Sequence, residues 1–254
     1  MKRAIISDIH SNLEAFQAVL EDLQNQGASE IICLGDLVGY GPNPVECVDL
    51  MMDLQIPGKV CLLGNHDLAA VFDPVGFNSI AEQAIFWTRT VLENTQDSKR
   101  SLRWEFLNNL LRTHRDAGFM YVHGSPRNPL NEYVFSDDII EENKMEKLFS
   151  NVEKCCFQGH THVPGIFTES RRYIRCQDLK DGYYDIGSEK LMVNVGSVGQ
   201  PRDRDCRACY VLFDTDLNRI EYRRVNYDVE KTCDKIHHIP DLDDFLGDRI
   251  KQGK

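Results

Sequence analysis

Side chains that commonly bind metal ions recur directly after short apolar runs of this sequence, usually beside a glycine. Five places show the pattern: Asp8-Ile9-His10, Gly35-Asp36, Gly64-Asn65-His66-Asp67, His123-Gly124 and Gly159-His160-Thr161-His162. In α/β proteins, ligands bind beyond the carboxyl ends of the strands, where residues from distant parts of the chain converge. Glycine lets such loops turn sharply and approach a ligand closely. The pattern therefore predicts one composite site.

The distribution of histidine supports a shared role for these places. The chain has 8 histidines, and only His114, His237 and His238 lie outside the five places. A single histidine beside glycine is more often a turn residue or a satisfied polar group than a metal ligand. Core packing, however, gives no reason for five histidines to concentrate at strand ends.

The types of these side chains indicate which metals they would bind. Imidazoles, carboxylates and an amide oxygen suit Mn, Fe, Co, Ni or Zn, whereas the many nitrogen donors argue against Mg or Ca. Two metals about 3.5 to 4 Å apart need a bridging carboxylate and can hold a hydroxide nucleophile at neutral pH. We therefore expect two divalent transition-metal ions, with manganese preferred over iron, nickel, cobalt or zinc.

The first half of the chain has the alternating pattern of elements that can position such a site. A strand at residues 3–7 precedes a helix whose apolar positions run from Leu13 to Leu23. Ser11 and Glu14 stand in capping-box positions, and Gly27 lies where the helix would end. The remaining predicted elements of this half are a strand at 30–34, a helix at 45–54, a strand at 59–63 and two helices within 79–112. This alternation favours a parallel or mixed sheet covered by helices.

Strand-like runs dominate the second half. A run at 119–122 and a short helical piece at 145–149 come first. The later runs lie at 155–158, 166–168, 191–195, 209–214 and 220–225. We expect these later runs to form a second sheet that packs on the first. Residues 1–238 are predicted to be a single domain, and residues 239–254 a partly disordered C-terminal tail.

Composition and charge exclude several classes of function. The net charge of −11 disfavours extended nucleic-acid binding and association with an anionic membrane surface. The 9 cysteines are scattered, several of them within apolar runs, as expected for reduced thiols. The sequence shows no signal peptide or membrane-spanning run, which leads us to expect a cytoplasmic protein. It carries no signal for an oligomeric state.

The five blocks resemble, in order and approximate spacing, those of the calcineurin-like metallophosphoesterases. The resembling motifs extend from residue 8 to residue 203. The resemblance implies a four-layer αββα sandwich of two mixed β-sheets flanked by helices, with the site at the carboxyl ends of the strands. The implied ligands are Asp8, His10 and His162 for one metal and Asn65, His123 and His160 for the other, with Asp36 bridging. His66 would then be the general acid, and Asp67 would orient the site.

Two departures from the wider superfamily concern the substrate. The phosphoprotein phosphatases and symmetrical diadenosine tetraphosphatases typically follow the bridging Asp with Val-Asp-Arg-Gly and end the next motif in Glu. This chain instead has Val38-Gly39-Tyr40-Gly41-Pro42 and Asp67. It is more similar to the smaller bacterial and archaeal phosphodiesterase-type branch, whose members carry a segment like Gly196 to Asp203. Protein phosphatase activity is accordingly not expected.

Three further residues are candidates for substrate binding. Arg202 follows a glycine-rich strand end and Arg127 follows His123, so either could clamp a phosphate, or could simply be a surface arginine. Tyr40 lies between two glycines and either stacks on a base or caps its loop. Cys206 and Cys209 have zinc-knuckle spacing but lack a second pair, so we interpret the spacing as coincidental.

These features imply an enzyme that hydrolyses small phosphodiesters or phosphomonoesters, including nucleotide-like ones. The expected mechanism is in-line attack by a metal-bridging hydroxide, with His66 protonating the leaving oxygen. The alternative is a non-catalytic scaffold, because the same superfamily includes a scaffold subunit that uses this fold for binding. A scaffold has no need of a leaving-group acid, so His66 together with the full ligand set favours the enzyme.

Overall fold

Two six-stranded β-sheets form the centre of the protein, and the computed structural model describes residues 1–254. The strands are β1 (Lys2–Ile6), β2 (Glu30–Cys33), β3 (Val60–Cys61), β4 (Thr113–Asp116), β5 (Phe119–Val122), β6 (Cys155–Gln158), β7 (Gly165–Thr168), β8 (Tyr173–Arg175), β9 (Tyr183–Asp185), β10 (Leu191–Asn194), β11 (Ala208–Asp214) and β12 (Arg219–Val225). The helices are α1 (Leu13–Asn25), α2 (Pro44–Asp53), α3 (Asn65–Val71), α4 (Ser79–Glu93), α5 (Arg100–Asn108), α6 (Glu142–Phe149), α7 (Val229–His237) and α8 (Phe245–Gln252). No helix is both long enough and apolar enough to cross a bilayer.

Both sheets are mixed, as predicted. The first has the order β3-β2-β1-β11-β12-β9, and the second has the order β4-β5-β6-β10-β7-β8. Strands β1, β2 and β3 run parallel to one another, as do β5, β6 and β10. The predicted ligands follow the carboxyl ends of these parallel strands.

Side chains alternate between two apolar layers along the central strands, as the two-residue period of a strand requires. In β1, Ile5 packs between the sheets, whereas Ala4 and Ile6 face the helices. In β5, Tyr121 packs between the sheets, whereas Met120 and Val122 face the α6 side. Apolar packing on both faces of each sheet gives the four-layer αββα sandwich that the resemblance implied.

The assignment of strands to sheets differs from the sequence prediction. β11 and β12 belong to the first sheet, where β11 pairs antiparallel with β1, and not to the second sheet. Sheet membership depends on the pairing partner, which local periodicity does not specify. The structure also contains the short strands β4, β8 and β9, which the sequence pattern did not predict.

The start of α1 differs from the predicted capping box. The N-cap is Asn12, whose side chain accepts a hydrogen bond from the backbone N of Ala15 at 3.1 Å, so the assignment of Ser11 as the cap was wrong. Glu14 instead binds Lys235 of α7, with Nζ 2.6 Å from Oε1. The helix does end as predicted, because Gly27 follows it with φ of 71°.

The C-terminal segment is folded in the structure, whereas the sequence suggested a partly disordered tail. Leu242, Leu246 and Ile250 are buried at four-residue intervals and pack with Cys233 and Ile236 of α7. Tyr40 and Trp87 pack against the same cluster. The C-terminal helices therefore lie against the loop that follows Asp36.

Candidate metal centre

All seven predicted metal ligands lie together at the carboxyl ends of parallel strands. Asp8 follows β1, Asp36 follows β2 and Asn65 follows β3, whereas His123 follows β5 and His160 follows β6. The donor atoms form three compact groups of buried side chains: Asp8, His10 and His162; His10, Asp36 and His66; and Asp36, His123 and His160. Both sheets therefore contribute ligands to one site.

The backbone at this site adopts conformations that ordinary residues avoid. The chain has 12 non-glycine residues with positive φ, and seven of them lie in the site loops. These seven are Asp8, His10, Ser11, Asp36, Tyr40, His160 and His162. Such conformations cost free energy and persist where the surrounding structure enforces them, commonly at functional sites.

Glycines allow the site loops to approach one another. A Cβ atom on Gly64 would lie 2.0 Å from Asp36 Oδ1, and one on Gly159 would lie 2.5 Å from Asp8 Oδ2. Neither position can accept a larger residue without displacing a predicted ligand. Gly64 and Gly159 are therefore required by the site itself.

The first group consists of Asp8, His10 and His162. His10 Nδ1 lies 3.2 Å from the Val38 carbonyl and His162 Nδ1 lies 2.6 Å from the Gln200 carbonyl, so each ring donates its Nδ1 proton to the backbone. The two Nε2 atoms consequently carry lone pairs, yet they face each other at 3.1 Å. Asp8 Oδ1 lies 3.2 Å from His162 Nε2 and has no hydrogen-bond donor. Three acceptors therefore converge where a cation would satisfy all of them.

The second group contains Asn65, His123 and His160. His123 Nε2 lies 3.0 Å from both Asn65 Oδ1 and His160 Nδ1. Burial lowers the pKa of His160 to about 3. Burial also acts to lower the pKa of His123, but the carboxylates of Asp36, Asp8 and Asp67 together outweigh it and raise that pKa to about 9. The surrounding carboxylates thus favour positive charge at the place where these two rings meet.

Asp36 lies between the two groups. Its Oδ2 is 3.6 Å from His10 Nε2 and 3.3 Å from His123 Nε2, while its Oδ1 accepts a hydrogen bond from His66 N at 2.8 Å. Burial alone would raise the pKa of its carboxyl, but His123 and His66 keep that pKa well below its usual range. Asp36 is therefore an anion that can contact a cation in each group.

The separations between donor atoms fit metal coordination. Ligands about 2.1 Å from one cation lie about 3.0 Å apart in octahedral geometry and about 3.4 Å apart in tetrahedral geometry. The spacings within the two groups are 3.0 to 3.7 Å. Both the distances and the inward-facing lone pairs suit divalent cations.

His66 and Asp67 have different positions in the site. His66 is buried, its ring centroid lies 4.8 Å from that of His10, and burial lowers its pKa to about 4. Asp67 accepts hydrogen bonds from the backbone N atoms of Val38 and Gly64 at 3.1 and 3.0 Å. Asp67 thus links the loop after Asp36 to the start of α3.

A cleft of about 380 Å³ opens beside these residues, and aromatic rings line it. The ring of Tyr133 stacks on His160 at 3.7 Å, that of Phe77 lies 4.8 Å from His66, and that of Tyr40 lies 4.3 Å from His66. Tyr40 is therefore at the site, as predicted. The sequence gave no indication of Phe77 or Tyr133, because both lie in loops outside any strand-end pattern.

The two candidate arginines differ in their surroundings. The Arg202 backbone N donates to the His162 carbonyl at 3.2 Å, and its Nη2 donates to Gln200 Oε1 at 2.8 Å. Arg127 instead forms a two-point ion pair with Glu132, with Nε 3.0 and 2.9 Å from the two carboxylate oxygens. Glu132 therefore occupies the Nε and Nη2 groups of Arg127 in this structure.

A shell of polar residues that the sequence did not single out supports the ligands. Asn194 Nδ2 donates to the Gly159 carbonyl at 2.7 Å, and Ser197 Oγ donates to the Asp8 carbonyl at 2.8 Å. Both residues follow the apolar run of β10. The ligands were identified as polar residues that directly follow an apolar strand run. The same criterion would have identified Asn194 and Ser197.

Comparison with known proteins identifies the family. The sequence model of the calcineurin-like phosphoesterase superfamily domain matches residues 1–218. An uncharacterized protein of Methanocaldococcus jannaschii is 37% identical over an alignment 262 residues long, and the alignment covers 99% of this chain and 98% of that protein. The symmetrical bis(5'-nucleosyl)-tetraphosphatase of Psychromonas ingrahamii is 30% identical over 159 residues, 60% of this chain and 56% of that enzyme.

Solved structures agree with this result. The metallophosphoesterase from Sphaerobacter thermophilus has a TM-score of 0.84 and 33% identity, and the match covers 100% of this chain and 99% of that one. A hypothetical protein from Pyrococcus horikoshii OT3 shares the fold, with a TM-score of 0.76 and 19% identity over 100% and 98% of the two chains. The chain belongs to the calcineurin-like phosphoesterase superfamily and is a metal-dependent phosphoester hydrolase.

Proposed function

We propose that this protein is a dinuclear phosphoesterase that hydrolyses small phosphodiesters or phosphomonoesters, with nucleotide-like molecules among its substrates. The observation that carries the proposal is the convergence of imidazole lone pairs and two carboxylates in adjacent groups that share Asp36. We assign Asp8, His10 and His162 to one metal and Asn65, His123 and His160 to the other. Asp36 bridges them.

Charge explains how an acidic protein would attract a phosphate. The chain carries a net charge of −11, but two divalent cations would contribute four positive charges against the two carboxylates of Asp8 and Asp36. When bound, such a metal pair neutralises the phosphoryl oxygens and lowers the pKa of a water molecule that serves as the nucleophile. The predominance of nitrogen donors favours manganese, with iron, nickel, cobalt and zinc as alternatives.

His66 is the residue to which we assign proton donation to the leaving oxygen. It lines the cleft and lies next to the ligands, and its Nδ1 is buried with no hydrogen-bond partner. His66 also groups with His10 and Asp36, so metal coordination is the competing assignment for this side chain. The two roles differ in whether the metal content depends on His66.

The aromatic cleft supports the nucleotide-like part of the proposal. Phe77 and Tyr133 present rings at the edge of the site, and a ring face can stack on a nucleobase. Several relatives are named symmetrical bis(5'-nucleosyl)-tetraphosphatases, although the matches cover only about half of those enzymes. We therefore include dinucleoside polyphosphates among the substrates to be tested.

Removal and replacement of the metals test the proposed function. Purified protein is treated with a chelator, reconstituted with Mn²⁺, Mg²⁺ or Zn²⁺, and assayed on p-nitrophenyl phosphate, bis(p-nitrophenyl) phosphate, cyclic nucleotides and dinucleoside polyphosphates. We expect hydrolysis to disappear on chelation and to return more strongly with Mn²⁺ than with Mg²⁺. Hydrolysis that survives thorough chelation would show that the reaction does not need the proposed metals.

A further inference from the structure

The cleft beside the metal centre is lined by no lysine, arginine, aspartate or glutamate. Apart from residues of the metal centre itself, its lining consists of aromatic rings, small apolar side chains and the amides of Asn78 and Asn131. Its volume of about 380 Å³ lies within the range of small-molecule sites, roughly 300 to 1,000 Å³. A second phosphate would find no cation among these side chains, whereas an uncharged, flat group would match their polarity.

Two segments of the chain form the cleft, and polar contacts hold both of them in place. The loop between α3 and α4 carries Phe77, and Arg89 of α4 fixes the start of this loop by donating from Nε and Nη2 to two carbonyls of α3 at 2.9 and 2.8 Å. The segment between β5 and α6 carries Tyr133, whose carbonyl accepts a hydrogen bond from Lys144 Nζ at 3.1 Å. The backbone of the cleft is therefore already fixed before a ligand binds, which reduces the entropy lost on binding.

The aromatic residues of the cleft differ in whether another ring already stacks on them. Tyr133 stacks on His160 at 3.7 Å and lies parallel to Phe135 at 5.4 Å. Phe77 has a single ring contact, T-shaped with His66 at 4.8 Å, and its side chain is half-buried. Phe77 is therefore the ring that can accept a flat group on its face.

The two amides of the cleft have unused hydrogen-bonding groups. Asn78 Oδ1 accepts a hydrogen bond from Ala81 N at 3.0 Å, which leaves the Nδ2 protons of Asn78 free. Asn131 binds Asn128 Oδ1 through its backbone N at 3.3 Å, and the residue is exposed. An amide side chain offers a donor beside an acceptor, the arrangement by which asparagine and glutamine bind the edge of adenine.

We propose that this cleft binds the base of a nucleoside that is joined directly to the scissile phosphate, with Phe77 stacking on the base and with Asn78 and Asn131 binding its edge. The position of Phe77 supports this assignment, because its ring contacts His66, the residue to which we assign protonation of the leaving oxygen. A leaving group released beside His66 therefore lies next to Phe77. The preferred substrates are then nucleotides and nucleotide diesters over phosphate esters of simple sugars or alcohols.

This inference rests on the proposed phosphoesterase activity, and a pair of substrates with and without the base tests it. With Mn²⁺-reconstituted protein, kcat/KM is measured for adenosine 5′-monophosphate and ribose 5-phosphate, and for the methyl phosphodiester of each. We expect the base to raise kcat/KM by about tenfold or more, as is typical of one base stacked on one aromatic ring. Phe77→Leu keeps an apolar side chain beside His66 but should lose most of this ratio, whereas Phe77→Tyr should keep it.

The matched control is Phe72→Leu, which makes the same substitution in the same loop at an exposed ring that does not line the cleft. It should leave the ratio unchanged. Thermal unfolding of every variant is measured first, and Asn131→Ala, which should also lower the ratio, provides a second route if Phe77→Leu does not fold.

Three results would overturn the nucleoside site: a wild-type ratio near one, an unchanged ratio in folded Phe77→Leu or Asn131→Ala, and hydrolysis of bis(p-nitrophenyl) phosphate without hydrolysis of either adenosine compound. Absence of hydrolysis of all these compounds would instead contradict the proposed activity.

Discussion

Asp36 is the residue on which both groups of ligands depend. One of its carboxylate oxygens faces His10 and His123, and the other accepts the backbone hydrogen bond of His66. In the proposed assignment this side chain would serve two cations and one amide, so a neutral replacement would affect all three contacts. Asp8 and His10, by contrast, belong to the first group in our assignment.

Asp36→Asn is therefore expected to impair both metal sites, because a neutral amide bridges two cations poorly. His10→Ala should mainly weaken the site shared with Asp8 and His162. Elemental analysis of dialysed protein gives the number of metals retained per chain. Asp216→Asn, a surface substitution, serves as the control. Two tightly held metals in Asp36→Asn would show that Asp36 is not the bridge.

His66→Asn separates proton donation from coordination. We expect near-native folding and metal content, with turnover lowered by roughly a hundred- to ten-thousandfold, as is typical for loss of a general acid. The deficit should be smaller for a nitrophenolate leaving group than for an alkoxide, since nitrophenolate needs less protonation. The measurement is kcat along a series of leaving groups. Equal deficits across the series, or a lost metal, would assign His66 to positioning or coordination.

For single residues, the sequence predicted which side chains lie at the site better than it predicted which other side chains they contact. The strand-end pattern brought together every metal ligand that was expected, since a strand positions whatever follows it. Arg127 and Glu132 show the opposite case, because no local pattern reveals that an arginine is already paired. Tyr133 reaches the site only through the packing of a loop, for which the sequence has no periodic signal.

Among the elements, α1 and α7 are joined by a buried carboxylate. Glu14 accepts hydrogen bonds from Lys235 and from the Thr232 hydroxyl, and Lys231 lies 3.2 Å from it. The sequence pattern suggested a capping box for Glu14 because its actual partner, Lys235, lies 221 residues away and leaves no local signal. Helix α7 is thereby fixed on α1, and α8 packs on α7 through Leu246 and Ile250.

Stability in acid should report this contact between helices. Burial raises the pKa of Glu14, but the hydrogen bonds from Lys235 and Lys231 outweigh it and lower that pKa below 4.5. A carboxyl with a lowered pKa stabilises the folded state above its unfolded-state pKa, and this stabilisation is lost as the pH falls through the folded-state pKa. Glu14→Gln should therefore lower the free energy of unfolding by about 1 to 2 kcal/mol near pH 7.

The difference between wild type and Glu14→Gln should shrink as the pH falls below 4.5, because a protonated Glu14 resembles glutamine. Urea unfolding of metal-free protein at several pH values measures this without interference from the metal sites. Glu105→Gln on the exposed face of α5 is the matched control. A difference that stays constant with pH would indicate that the charge of Glu14 does not hold the helices together.

Across the whole molecule, the metal centre joins the two sheets. Asp8, Asp36 and Asn65 follow strands of the first sheet, whereas His123 and His160 follow strands of the second. Apart from this site, the sheets are held together by apolar packing of side chains such as Ile5 and Phe157, and by hydrogen bonds from Arg3 of the first sheet to Tyr121 and Asp116 of the second. In metal-free protein, inward-facing lone pairs and anionic carboxylates repel one another at the same junction.

Metal binding should therefore stabilise the entire sandwich. A ligand present at a hundred times its dissociation constant adds about 2.7 kcal/mol to the stability of the folded state, and each kcal/mol raises Tm by about 2 to 4 °C in a protein of this size. We expect Mn²⁺ to raise Tm by at least about 5 °C over chelator-treated protein in differential scanning calorimetry. Asp36→Asn should lose most of that increase, while Asp216→Asn should keep it. Identical Tm values with and without metal would mean that the two sheets are not joined through these ligands.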